Sequence, residues 1–417
     1  MNKKILTVLC LILSLRLYAA EWPQFLGPDR TGTIKDKNFK GTFGKGPEEL
    51  WKVDLGQGFG GASVSKGEVF ILDRQDDELD IVKCFDLKSG KIKWENSYKN
   101  PGRFGYNGSR SIPAVDDKYV FTIGSMGDVV CTDRKSGKTV WKKNLIKDWG
   151  SVAESWGFGQ SPIVYKDTVI FAPLSLKAGV IALDKATGKE VWKTADIGSK
   201  DGYASPILMN LLGTQMLIQM SSDNVTGINP DSGKELFSWS GYKIKWAIPA
   251  PVKVDDKTLF ITGGYEAGSV MIQLRKSGSK ISVNEVFRLK STGAQIHAPI
   301  IHNSHIYGNF NENANLKKRS EKQGLTCIDL KGKTKWKTGE TPNFNRGNVI
   351  LVNDFMIIMD GDTGELYLAK ASPAGFKQIS KHKVLDGVGK NIWSPMAYSN
   401  GLMVVRDQNE MICLKIY

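Results

Sequence analysis

The 417-residue chain has only four histidines and five cysteines, and that scarcity removes several kinds of chemistry at once. His297, His302 and His305 are the only clustered histidines, a spacing that invites a zinc assignment. However, His302 and His305 bracket one short turn while His297 stands at the far end of the strand leading into it, so the three do not converge on one ion. No Ser-His-Asp arrangement, phosphate-binding Gly loop or Cys-x-x-Cys motif occurs in a suitable context. After the first twenty residues no apolar run is long enough for a membrane helix. Acids are the scarcer charge, 43 Asp and Glu against 57 Lys and Arg, for a net charge of +14.

What the chain has in abundance is one repeated phrase. It reads Asp86, Ser89-Gly90-Lys91, Trp94; then Asp133, Ser136-Gly137-Lys138, Trp141; then Asp184, Thr187-Gly188-Lys189, Trp192. Weaker copies run from Asp231 to Phe237 and from Asp329 to Trp336. The aromatic anchors at 51, 94, 141, 192, 237, 287 and 336 are 43, 47, 51, 45, 50 and 49 residues apart, a period that indicates a propeller or solenoid array. Within one copy, Ser161–Tyr165, Thr168–Phe171, Val180–Leu183 and Glu190–Trp192 are four short β runs separated by turn residues. The Asp side chain holds the tight turn, Gly supplies positive φ, and the Trp covers a neighbour. A four-stranded sheet with two apolar faces must pack between copies of itself, and radial packing leaves only short edges.

Eight innermost strands are counted from starts at Gly61, Ile112, Ser161, Ser205, Ala250, Ala298, Gly347 and Ser394. The chain stops at Tyr417 before an eighth outermost strand, while an orphan run, Glu49-Leu50-Trp51-Lys52-Val53, precedes the first copy. The orphan is expected to close the last blade. The fold class is therefore all-β, an eight-bladed propeller of four-stranded antiparallel blades over residues 49–417, after an N-terminal extension over 21–48.

The phrase Val180-Ile181-Ala182-Leu183-Asp184, Thr187-Gly188-Lys189, Trp192 resembles the pyrroloquinoline quinone (PQQ) repeat. That repeat builds eight-bladed propellers in quinoprotein alcohol dehydrogenases and in the propeller lipoprotein of the outer-membrane barrel assembly machinery. The run Glu21 to Arg30 is similar to the mature start of many secreted bacterial members. The repeat is a blade signature, so the resemblance implies the fold and leaves the function open.

Lys3 and Lys4, an apolar run from Ile5 to Leu15 and then Tyr18-Ala19-Ala20 have the order of a secretory signal peptide over residues 1–20. Leu9 before Cys10 speaks against a lipid anchor, so a periplasmic or secreted protein is expected. Loss of Lys3, Lys4 and Arg16 lowers the charge to +11. The remaining lysines are spread over the repeat turns as a solvated face, and no specific nucleic-acid partner is expected. Lys317-Lys318-Arg319 cluster in a polar insert, 309–323, that reads as a mobile loop. Cys84, Cys131 and Cys327 stand two residues before the turn Asp, where another copy has Ala182, and Cys413 takes the same place in the last blade. Blade faces lie about 10 Å apart, too far for bridged cysteines, so free buried thiols are expected.

Function in a propeller collects where the loops entering the innermost strands surround the channel. Two such loops are long, 95–110 and 142–160. The mouth set is Arg110, Tyr203, Lys245, Trp246, His297, Arg346 and Trp393. These suit a flat anionic ligand, with Trp246 or Trp393 as platform and Arg110, Lys245 or Arg346 pairing its carboxylates; the reading that such ring residues favour in propellers of every function is that Trp and Tyr plug the channel and pack blade to blade while Arg and Lys reach solvent. Quinoprotein chemistry, as the resemblance implies it, adds a calcium ion and a carboxylate base. Glu154, Asp201, Asp223 and Glu266 are the acids on this face, in no recognisable motif, and the adjacent Cys-Cys pair common near the quinone is missing. The run Asp360 to Glu365 resembles part of a calcium loop but reads better as a hairpin turn.

The expectation is an exported, monomeric binding or assembly scaffold without a catalytic centre or cofactor, docking an envelope protein or an extracellular ligand on the mouth face. The alternatives are a dehydrogenase of alcohols or sugars that uses PQQ with calcium, its base being Glu154 or Asp201, and a polysaccharide-binding propeller.

Overall fold

A computed structural model describes residues 20–198, 202–311, 323–387 and 391–417. Most of the expected leader, Asp201 and the Lys317–Arg319 cluster lie outside the described residues. The fold is an eight-bladed propeller. Seven sheets have four strands and one has five. The innermost strands, among them Ser63–Ser65, Ile163–Tyr165, Ile207–Leu211 and Ala397–Ser399, begin where the sequence places them. The orphan strand Glu48–Asp54 pairs antiparallel with Glu410–Lys415, Trp51 opposite Cys413, and closes the ring.

Burial explains the strand sequences. In the third blade, Val169 to Phe171 and Ile181 to Leu183 are buried in an unbroken run because both sheet faces meet another blade. Along the outermost strand Glu190–Lys193 only Trp192 is buried. A bulge pairs Ala182 with Trp192 but Leu183 with Glu190, so Val191 is the extra residue and the Trp turns toward the next blade.

The repeated phrase works as a latch between blades. Asp184 Oδ1 accepts from the Thr187 N–H at 2.8 Å and from its hydroxyl at 2.7 Å, and these bonds, the hydroxyl's above all, hold the carboxyl below its usual range. Gly188 then adopts φ +68°, and a Cβ on it would lie 2.8 Å from the Trp141 ring of the preceding blade. Trp141 Nε1 donates to Lys185 O at 3.0 Å in the same turn. Trp51 sits likewise over Gly90 and donates to Leu87 O, Trp94 over Gly137 to Arg134 O, and Trp192 over Gly233 to Pro230 O. The Gly is small because a neighbour's Trp lies on it, which couples the two halves of the motif. The four described cysteines are free and buried, and burial pushes the Cys84 and Cys413 thiols up to about 12. Asp360 Oδ1 caps the hairpin turn through the Asp362 and Thr363 N–H groups, both at 2.9 Å.

Residues 20–46 do more than precede the ring. Trp22 exchanges backbone hydrogen bonds with Val64 at 2.9 and 2.8 Å, and the Val115 N–H donates to Pro23 O at 2.9 Å. Thr33–Ile34 lies parallel to the innermost strand Val349–Val352 as the fifth strand of that sheet. The stretch from Trp22 to Ile34 thus fills the channel and satisfies backbone groups that innermost strands would otherwise leave unpaired. Arg30, 4% exposed, donates to Pro206 O at 2.7 Å, to Pro162 O and to Gln24 Oε1; burial lowers its pKa to about 9, so it stays charged at neutral pH. On the way out, Asp36 Oδ2 accepts from the Tyr398 and Tyr417 hydroxyls, each at 2.7 Å. Burial alone would raise the Asp36 pKa; the two phenols and nearby backbone bonds outweigh it and bring it down.

Candidate functional site at the channel mouth

Where the channel filling ends, a pocket of about 310 Å³ opens, and Phe25 of the N-terminal segment lines it. Its wall is a collar of rings drawn from several blades. Phe59 stacks on Trp393 at 5.2 Å and 28°, Trp393 meets Tyr106 at 5.6 Å, and Tyr106 meets Trp156 edge-on at 6.5 Å. Trp156 approaches Trp246 at 4.7 Å, and Trp246 meets Tyr265 at 4.7 Å and 75°. Each ring is held by its neighbours in an offset or edge arrangement. The Trp393 indole N–H is buried and has no acceptor among the described residues.

Cations back this collar. The Arg110 guanidinium stands 5.1 Å from the Phe59 centroid and donates to Gly108 O at 3.0 Å and to Tyr106 O; burial lowers its pKa to about 10. Arg346 lies 4.7 Å over Trp393, with Nε donating to Gln295 Oε1 at 2.7 Å, and Gln295 Nε2 donates to the Tyr265 hydroxyl at 2.7 Å. Lys245 sits 4.2 Å over Trp246 on the exposed rim. For His297, burial depresses the pKa to about 4, with backbone bonds at Arg346 and Trp393 opposing it, so the ring is neutral at pH 7. Asn348 Nδ2 faces His297 Nδ1 at 3.3 Å while Asn348 Oδ1 accepts from the Met396 N–H at 3.1 Å. With the amide so oriented, Nδ1 is the acceptor and the proton of the neutral ring resides on Nε2.

Of the expected mouth set, Arg110, Tyr203, Trp246, His297 and Trp393 line the pocket; Lys245 and Arg346 stand outside the lining, each against the ring of a lining Trp. Glu154 does not line it. Asp223 accepts from the Ser221 hydroxyl at 3.1 Å and is likewise away from the lining. Two expected loops are shorter than the sequence reading has them. The strand Ile92–Lys99 carries Tyr98 under Lys142, 4.3 Å from its Nζ, and the helix Leu145–Trp149 turns Trp149 into the core against Phe171 at 5.5 Å. Phe25, Phe59 and Tyr265 join the site without being expected there. The one signal for any of them is the apolar run Trp22-Pro23-Gln24-Phe25-Leu26, unusual for a solvated extension.

The lining suits a flat polyanion: ring faces to sandwich it, Arg110 and Arg346 behind the rings to attract it, an unused indole N–H to donate to it, and no carboxylate among the described lining residues to repel it. It does not match a calcium donor set, since among the described residues no group of three or more His, Cys, Asp or Glu is poised to hold a metal. His302 and His305 pair across their hairpin, and His302 Nε2 lies 3.2 Å from Asp354 Oδ1. No helix among the described residues is long and apolar enough to cross a membrane.

The chain is 28% identical over 137 residues to quinoprotein alcohol dehydrogenase PedH of Pseudomonas putida, a match that covers 32% of this chain and 22% of that relative's length. Among solved structures, the fold is similar to quinohemoprotein alcohol dehydrogenase from Comamonas testosteroni, with a TM-score of 0.64, 12% identity, and coverage of 95% of this chain and 80% of that one. It is also similar to BamB from Moraxella catarrhalis, with a TM-score of 0.59, 14% identity, and coverage of 88% and 97%. At these identities the structures establish the fold alone. The expectation of a propeller without a catalytic centre is corrected by this comparison, because relatives carrying the repeat are named dehydrogenases. It rested on finding no acid motif in the sequence, yet a propeller gathers its site from separate blades, and the mouth is a recessed aromatic pocket with Arg110 in its lining. A family model described as outer membrane protein assembly factor BamB matches residues 78–338, more than half of the chain, and the protein belongs to this PQQ-repeat propeller family.

Proposed function

We propose that the channel-mouth pocket binds a planar, polyanionic quinone of the PQQ class and that the protein is an envelope redox propeller oxidising a hydroxylated substrate. The observation that carries this reading is the aromatic pocket itself, lined without a described carboxylate and backed by guanidinium groups on its rings. The dehydrogenase named among its relatives supports it. When bound, such a quinone supplies a two-electron acceptor. The protein's own residues then have distinct tasks. Trp246 and Trp393 hold the ring faces and exclude water. Arg110 and Arg346 draw and orient carboxylates. His297, neutral at pH 7, stands in the lining without adding charge.

Calorimetric titration of the purified protein with PQQ, with and without Ca²⁺, tests the binding, and dye-linked alcohol oxidation tests the turnover. Saturable binding that weakens about tenfold in Arg110→Ala and in Trp393→Ala is the expected result. No heat at high micromolar PQQ would overturn it. A second reading, an envelope partner docked on the same mouth, is favoured by the family description as an assembly factor. It is read from co-purification that a bulky substitution at exposed Lys245 abolishes.

A further inference from the structure

Beside the aromatic pocket lies a second cavity of about 740 Å³, and Phe59 and Tyr106 belong to both linings. The chemistry changes abruptly across those two rings. On the far side the wall carries five carboxamides, Gln57, Asn107, Asn391, Gln408 and Asn409. Among the described residues no carboxylate lines it, and the one lining cation there, Arg103, sits 3.7 Å from Asp77. This chamber is therefore close to neutral but dense in paired donors and acceptors.

The amides are placed, not scattered. Gln408 is buried, and its Nε2 donates to Asn391 O at 2.9 Å and Gly58 O at 3.2 Å, which leaves Oε1 without a bond among the described residues. Asn107 Nδ2 donates to Asp77 Oδ1, so Asn107 Oδ1 is left as an acceptor. The side-chain amides of Gln57, Asn391 and Asn409 form no hydrogen bond among the described residues. A carboxamide offers an acceptor and a donor from one neutral group, as a hydroxyl does. A wall of several such groups matches a molecule with several adjacent hydroxyls; a simple aliphatic alcohol would use one of them and leave the others to water. The ring of Phe104 and the shared rings Phe59 and Tyr106 supply apolar faces for the C–H side of a pyranose.

We infer that this chamber is a binding subsite for a neutral polyhydroxylated ligand, a pyranose sugar, delivered against Phe59 and Tyr106 so that one hydroxyl reaches the aromatic pocket. The role as a substrate subsite rests on the quinone reading above; the sugar binding itself does not.

The test is titration of the purified full chain with D-glucose, maltotriose and 1-propanol, followed by tryptophan fluorescence and by saturation-transfer NMR, with PQQ titrated separately into each variant. Saturable sugar binding in the millimolar range or tighter, with no saturation by 1-propanol, is expected. The doubly exposed variant Gln57→Leu with Asn409→Leu carries little folding risk and is expected to weaken sugar binding about tenfold while PQQ affinity is unchanged; Gln408→Leu should weaken it further. Absence of saturation up to about 100 mM sugar, equal saturation by 1-propanol, or sugar binding indifferent to the double variant would each overturn the inference. Sugar binding without PQQ binding would remove the quinone reading and leave the sugar site standing; PQQ binding without sugar binding would do the reverse.

Discussion

The two ends of this propeller are built by opposite rules. At the turn side, one small device recurs through the first four blades: an Asp or Asn cap, a positive-φ Gly and the neighbouring Trp that lies on it. At the channel mouth nothing repeats. Phe25, Tyr106, Trp156, Trp246 and Trp393 arrive from different loops and one from the channel filling, and they meet once. The regular end is about stability, because losing one latch uncouples two blades; the irregular end is about recognition, because each side chain there has a single neighbour set and a single task.

The hardest blow to that comparison is struck at the latch. Trp141→Ala is expected to cost roughly 3–5 kcal/mol in urea unfolding, since it removes the buried ring and its bond to Lys185 O. Trp393→Ala, in a half-buried ring at the mouth, should cost clearly less; equal losses would erase the distinction between the two ends.

At the mouth, His297 gives a pH signature that no latch residue shares. Its folded pKa of about 4 lies below the ordinary 6.5. The unfolded chain therefore binds the extra proton first, and the contribution is complete above pH 6.5 and lost as pH falls toward 4. That loss is on the order of 3 kcal/mol and should be missing in His297→Gln, as urea midpoints across this pH range will show.

A finer cut separates backbone from packing. Gly188→Ala should cost roughly 1–3 kcal/mol, because the residue is at φ +68° and its Cβ meets Trp141. Gly213→Ala, at φ +70° with nothing within 4 Å, should cost only the backbone share of that. Smallest is Tyr417→Phe. It removes one of two phenol bonds to Asp36, and a loss of about 1 kcal/mol by thermal unfolding is expected.

The same contrast explains which features are legible in the amino-acid sequence. The blade count and the closing strand are legible because Asp, Ser or Thr, Gly and Lys act within a few residues of one another, and a local turn leaves a local signature. The thiols are legible for the same reason, since Cys84 and Cys131 occupy the place of Ala182. Tyr98 and Trp149 do not reach the mouth where the repeat pattern puts them, because the strand Ile92–Lys99 runs on to the Asn100-Pro101-Gly102 break and the helix Leu145–Trp149 is capped by Asn144 and Gly150, local signals that the repeat period does not contain. The amide chamber leaves no trace at all, because Gln57 and Gln408 are neighbours only once the ring has closed.

The sequence by itself determined the number of blades, the order of strands and how the ring is sealed, because short-range turn chemistry and two-faced burial allow little else. Only the tertiary structure decided that the stretch from Trp22 to Ile34 fills the channel, that Phe25 becomes part of the pocket, and that cations stand behind aromatic rings with no described acid in the lining. Those outcomes depend on contacts between residues a whole blade or more apart, whose meeting is set by the closure of the ring and by nothing in their own neighbourhoods.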